Sequence, residues 1–121
     1  NVISTDLHAE SMNGGMKDLS NVMSKFLALG MSLQDVILRT TWNPAQVIKR
    51  EDLGNLDIGA DADIAVFSIR KGNFGFLDIR KTTLKGNQKL EAELTLRAGK
   101  VVWDLNGTSA IGWEEELKKS K

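Results

Sequence analysis

Val2-Ile3-Ser4-Thr5-Asp6-Leu7-His8 lies at the start of the chain and decides how the rest is read. Val2 and Ile3 read as the end of a buried strand. Ser4, Thr5 and Asp6 then turn polar, and His8 is the single histidine of the sequence. An apolar strand ending in a carboxylate and an imidazole is how α/β barrels present chemistry, at the C-terminal ends of their strands. The residues beyond His8 read as scaffold, so this stretch is expected to be one share of a larger active site. The sequence begins at Asn1, inside an apolar-to-polar transition, which is expected of a fragment or a processed piece.

Composition bounds the alternatives. The 121 residues are 41% hydrophobic, enough for one modest domain with a packed core. Lys+Arg and Asp+Glu are both 16, so the formal net charge is zero. That balance argues against nucleic acid or an anionic membrane as the main partner. Cysteine is absent, which excludes disulfides, thiolate metal sites and cysteine nucleophiles. It also fits a reducing compartment, and a cytoplasmic location is expected. No apolar run approaches the roughly 20 residues needed to span a bilayer, and no secretory signal pattern is present.

Outward from His8, a polar loop runs to Gly14 and Gly15. Met16, Leu19, Met23, Phe26 and Leu27 follow at helical spacing, predicting a helix over 16–29 with Gly30 as its stop. Ser32 and Asp35 resemble a capping box ahead of a second amphipathic helix that carries Leu33, Val36, Ile37 and Thr40. Asn43 and Pro44 read as the cap and first residue of a third helix, ending near Arg50.

Beyond Leu53 the character changes to glycines and short β-branched runs. A strand-turn is expected at 54–59 and a turn at 60–63. Ile64-Ala65-Val66-Phe67 reads as a buried strand. A loop is expected at Gly72–Gly75, a short strand at 76–79, and a turn at Leu84-Lys85-Gly86-Asn87. Alternation from Leu90 to Leu96 predicts a half-exposed strand, with a hairpin turn at 97–100 into Val101-Val102-Trp103. Residues 54–104 thus read as a small antiparallel sheet or sandwich. The tail reads as a frayed terminus, although Glu114/Lys118 and Glu115/Lys119 would support a surface helix.

Asp6 and His8 are the residues on which chemistry could rest. A carboxylate past a strand end can hold a metal ion and move a proton; an Asx turn is the plainer reading. An imidazole can ligate metal or orient a substrate carbonyl, or it can simply be a partly buried hydrogen-bonding group. If the strand ran on to Glu10, then Asp6, His8 and Glu10 would share a face, but Glu10 already stands in loop-like sequence. Asp61 and Asp63 are explained more simply by turn chemistry. The glycines follow no phosphate-loop spacing, and the aromatic residues are too scattered to stack on nucleic acid.

Several stretches in order then resemble a family. They are Ser4-Thr5-Asp6-Leu7-His8, Ser11-Met12-Asn13-Gly14-Gly15-Met16-Lys17-Asp18, Thr41-Trp42-Asn43-Pro44-Ala45, Leu56-Asp57-Ile58-Gly59-Ala60-Asp61-Ala62-Asp63-Ile64-Ala65-Val66-Phe67, and Gly99-Lys100-Val101-Val102-Trp103-Asp104. Together they resemble the C-terminal part of the metal-dependent amidohydrolase superfamily, closest to its dihydroorotase-like and deacetylase-like branch.

The resemblance implies an α/β fold: the last strand and helices of a (β/α)8 barrel, followed by the C-terminal part of a small β-sandwich. Residues 1–52 would be the barrel end, 53–107 the sandwich share and 108–121 a tail. Asp6 would be a metal-ligating catalytic carboxylate that acts as general base and then protonates the leaving group. His8 would contact substrate, and Asn13, Gly14 and Gly15 would form a loop over the pocket that offers backbone N–H groups. The implied cofactor is a divalent metal, zinc, as one or two ions in the complete protein. The family's His-x-His pair, its lysine and its two further histidines have no counterpart in a chain with one histidine.

This chain alone is therefore expected to bind no metal and to be inactive. The expected parent is a hydrolase that uses metal-activated water on the C–N amide, or ester, bond of a small substrate such as an N-acyl amino acid or cyclic amide. Expected partners are that small molecule and either the missing N-terminal barrel segment or further copies of the chain. The alternative reading is a non-catalytic assembly module that docks on a partner supplying the barrel.

Overall fold

The computed structural model describes residues 2–5, 18–78 and 80–119. Three helices come first: α1 (Leu19–Ala28), α2 (Leu33–Thr40) and α3 (Trp42–Val47). Three antiparallel strands follow in the order β1-β2-β3: β1 (Ile64–Leu77), β2 (Thr83–Arg97) and β3 (Lys100–Asp104). Helix α4 (Trp113–Lys119) ends the described chain.

The caps explain the helix limits. The Asp18 carboxylate accepts from the Asn21 N–H and opens α1, and the Ser32 hydroxyl accepts from the Asp35 N–H and opens α2. Helix α1 closes with Gly30 N–H donating to Leu27 and Met31 N–H to Phe26, the paired bonds of a Schellman stop. Helix α3 starts at Trp42, one residue before the expected Asn43 cap. Thr41 flanks it and makes no side-chain capping bond. Pro44 is tolerated because first-turn N–H groups have no partner inside a helix anyway. The helix ends before Arg50, at Val47, where Lys49 turns left-handed (φ 59) and Arg50 N–H donates to the Ala45 carbonyl.

Two predicted loops are strand. Gly72–Gly75 lies inside β1, which runs unbroken through 14 residues. The pairing passes from Lys71↔Gln88 to Phe74↔Gly86, so Gly72 and Asn73 oppose Asn87 alone and form a bulge. Gly86, expected in a turn, lies within β2. A Cβ there would stand 2.9 Å from the Phe76 ring and 3.0 Å from Ala28 Cβ, so the glycine is where helix and ring approach the strand. The hairpin turn falls instead at Asp78–Thr82. There the Asp78 carboxylate accepts from the Arg80 and Thr82 N–H groups and the Thr82 hydroxyl. No strand forms at 54–59. The 97–100 hairpin is as expected, with Ala98 (φ 50) and Gly99 (φ 79) at its tip. The tail departs from a frayed end: α4 is a helix, exposed along its length.

Helix α1 packs along β2, beside the part of that strand that β3 leaves unpaired. Met23, Val36 and Leu90 form the buried cluster, with Phe26, Leu27, Met31 and Phe67 around it. Ser24 is fully buried at the centre of this contact. Its hydroxyl donates to the Ser20 carbonyl (2.7 Å) and accepts from the Leu90 N–H (2.9 Å), tying α1 to β2. Ser24→Ala leaves the Leu90 amide buried without a partner, and is expected to cost about 1–3 kcal/mol of stability. Urea unfolding of the variant measures this, and an unchanged midpoint would contradict it. The outer edge of β1 has no strand partner among the described residues. Arg70, Lys71 and the bulge at 72–73 blunt that edge against further pairing.

Candidate functional site

The sequence places its chemistry in residues 6–15, and the described residues flank this stretch on both sides. Before it, Ile3 is buried, and its N–H donates to the Arg39 carbonyl at the end of α2 (2.9 Å). Residues 2–5 pair with no strand among the described residues. Ile3 is therefore seated by a helix end, where the sequence reading expected a strand. After the stretch, Asp18 caps α1 and also accepts from the Ser20 hydroxyl (2.8 Å). Asp6, His8, Glu10, Asn13, Gly14 and Gly15 lie outside the described residues.

Several of the described carboxylates are engaged in structural bonds. Asp63 accepts from the Ala98 N–H (2.9 Å), fixing the start of β1 to the tip of the β2–β3 hairpin. The Asp61 N–H donates to the Asp52 carbonyl, so both residues of the Asp-Ala-Asp turn serve the fold. Hydrogen bonds from Thr82 hold the Asp78 carboxyl below the usual carboxylate range. Ser109, with help from Thr108, does the same for Asp104. The Arg50 guanidinium, bonded to Asp52 through two nitrogens (2.9 and 2.7 Å), lowers Asp52. The bonds that lower these three carboxyls hold their turns in place.

A cavity of about 580 Å³ opens between the helices and β1, lined chiefly by Leu19, Met23, Ile37, Leu56, Ile64 and Phe67. Its wall is largely apolar, and Asp63 is the only charged residue that lines it among the described residues. It offers shape and no acid–base pair. Among the described residues, no group of three or more His, Cys, Asp or Glu could hold a metal ion. These residues therefore fit a metal centre only as scaffold, and no step of a metal-assisted reaction follows from them. Among them, too, no helix is long and apolar enough to cross a membrane. Two structural residues escaped the sequence reading. Ser24 carries no sequence signal, because a serine in mid-helix is ordinarily exposed. Asp78 had one, the polar residues Arg80, Lys81 and Thr82 that follow it closely after the apolar Phe76-Leu77.

Known proteins supply what the described geometry lacks. A model described as the amidohydrolase family matches residues 8–103. The chain belongs to the amidohydrolase family. A deacetylase of Agrobacterium fabrum is 45% identical over 67 residues, covering 55% of this chain and 16% of the deacetylase. A dihydroorotase of Methanopyrus kandleri is 31% identical over 106 residues, covering 84% of this chain and 25% of the dihydroorotase. The crystal structure of an adenine deaminase superposes with a TM-score of 0.78 at 28% identity, covering 85% of this chain and 28% of the other. The chain thus spans about a quarter or less of the length of these curated amidohydrolase relatives. Its helices and antiparallel sheet keep the arrangement of a much longer protein.

Proposed function

We propose that this chain is the C-terminal part of a metal-dependent amidohydrolase that hydrolyses a C–N amide or ester bond of a small substrate, such as an N-acyl amino acid or cyclic amide. The observation that carries the reading is the 45% identity with a deacetylase. The family match that begins at His8 supports it further. On this reading residues 1–52 complete a (β/α)8 barrel, 53–107 are the C-terminal share of a β-sandwich, and 108–121 are a tail. A divalent ion, zinc by preference, would supply water activated near neutral pH when bound. Asp6 is the residue of this chain that would hold it, and its carboxylate would take up a proton and return it to the leaving group. His8 would contact substrate, while Asn13, Gly14 and Gly15 would offer N–H groups to an acyl oxygen or carboxylate. The remaining ligands would come from elsewhere in the polypeptide, since this chain has one histidine. The assembly-module reading has no support in these relatives, all of which bear the names of enzymes.

A substrate panel tests the proposal. The metal-loaded full-length protein is expected to hydrolyse at least one of a set of N-acyl amino acids, cyclic amides and simple esters. Residues 1–121 expressed separately, with zinc added, are expected to hydrolyse none. Turnover by the separate chain would show that no outside ligands are needed. Silence of the full-length protein across the panel would contradict the assigned reaction class.

A further inference from the structure

Asn106 and Gly107 form the only asparagine–glycine pair among the described residues. They stand in the exposed turn that leaves β3. Gly107 is left-handed (φ 66), with open space where a Cβ would lie. Its N–H donates to no group among the described residues. The Asn106 side chain is held from β2: its Nδ2 donates to Glu93 Oε2 at 2.8 Å. Glu93 is free to do this because it is the extra residue of a bulge, the pairing with β1 stepping from Val66↔Leu94 to Phe67↔Ala92. The Glu93 carbonyl also accepts from the Leu105 N–H (2.9 Å), so one bulged residue clamps the turn twice.

We propose that Asn106 is a site of spontaneous deamidation whose rate is governed by its hydrogen bond to Glu93. The Gly107 backbone nitrogen attacks Asn106 Cγ. The new N–Cγ bond replaces the Cγ–Nδ2 bond, and the displaced amide nitrogen leaves as ammonia, taking up the Gly107 N–H proton. Water then opens the cyclic imide at either carbonyl, leaving aspartate or isoaspartate. Glycine favours the first step because no side chain hinders its nitrogen. The Glu93 bond opposes it by holding the amide to β2, away from that nitrogen. After conversion, position 106 carries a carboxylate facing that of Glu93, so the hydrogen bond becomes a repulsion and the clamp opens.

The test uses the full-length protein incubated in mildly alkaline buffer and digested with trypsin. The peptide Val101–Lys118 has Asn106 as its sole side-chain amide, so a gain of about one mass unit there reports conversion. Glu93→Ala is expected to speed the gain about threefold, the kinetic worth of one exposed hydrogen bond. Glu93→Gln keeps an acceptor and is expected to hold the wild-type rate, which separates the bond from general loosening. Gly107→Ala is expected to slow conversion about tenfold through hindrance at the nitrogen. Converted protein is expected to exchange the Leu105 amide faster than unconverted protein. The proposal is overturned if the wild-type peptide gains no mass, if Glu93→Ala reacts at the wild-type rate, or if Glu93→Gln reacts as fast as Glu93→Ala.

Discussion

Replacing Asp6 with Asn in the complete protein is expected to lower turnover by about a thousandfold or more while leaving the fold intact, the scale of losing a proton-transfer group. Asparagine keeps the size of the side chain and one acceptor oxygen. It loses the negative charge that would hold a divalent ion, and it has no carboxylate to protonate. The neighbouring scaffold gives no reason for a folding defect. Ile3 is seated by its own burial and its bond to Arg39, and Asp18 caps α1 by itself. Steady-state kinetics with circular dichroism on the same samples make the comparison. Wild-type turnover by the variant would remove Asp6 from the reaction. An unfolded variant would instead mark Asp6 as a structural residue.

Gly54→Ala is expected to be the most damaging small substitution in the scaffold, at about 2–5 kcal/mol, combining left-handed strain with steric overlap. Gly54 has φ 72, and an added Cβ would stand 2.5 Å from the Thr41 carbonyl oxygen, 2.8 Å from its carbon and 2.9 Å from Ala45 Cβ. The first two atoms are backbone at the start of α3 and have no rotamer to escape into. The segment after Gly54 cannot yield easily either: the Asn55 amide donates to the Glu51 and Leu53 carbonyls while its oxygen accepts from the Asp57 N–H. Gly59 is the control, since it shares the left-handed conformation (φ 92) but has nothing within 4 Å of an added Cβ. Gly59→Ala should therefore cost only the conformational strain, about 1–2 kcal/mol. Urea denaturation of the two variants separates strain from overlap, and equal losses would contradict the close packing of Gly54 on Thr41.

The helices were legible because their signals are local. The apolar spacing of Leu19, Met23, Phe26 and Leu27 and the Ser32 cap need only neighbouring residues to be read, and the structure follows them. The sheet was legible at the Ala98-Gly99 turn and in the presence of β2, although a bulge at Glu93 breaks the period-two alternation expected from Leu90 to Leu96. It was misread where glycine meant packing and not turning. Gly72 belongs to a bulge and Gly86 to a close approach by Phe76 and Ala28, both set by residues distant in sequence. Ser24 eluded the reading for the same reason: its partner, the Leu90 amide, is 66 residues away. Of the site, Asp6 and His8 stand out in the sequence by residue type and position. The chain has one histidine, and among the described residues no group of three or more His, Cys, Asp or Glu could complete a metal site with them.

The central claim is that this chain contributes one carboxylate to a metal centre completed by the rest of an amidohydrolase. Anomalous diffraction from crystals of the metal-loaded full-length protein tests it most directly. The expected result is a divalent ion with an Asp6 carboxylate oxygen about 2.0–2.2 Å away, as for a zinc-bound carboxylate, and with its other protein ligands outside residues 1–121. An ion whose ligands exclude Asp6, or whose protein ligands all lie within residues 1–121, would contradict it.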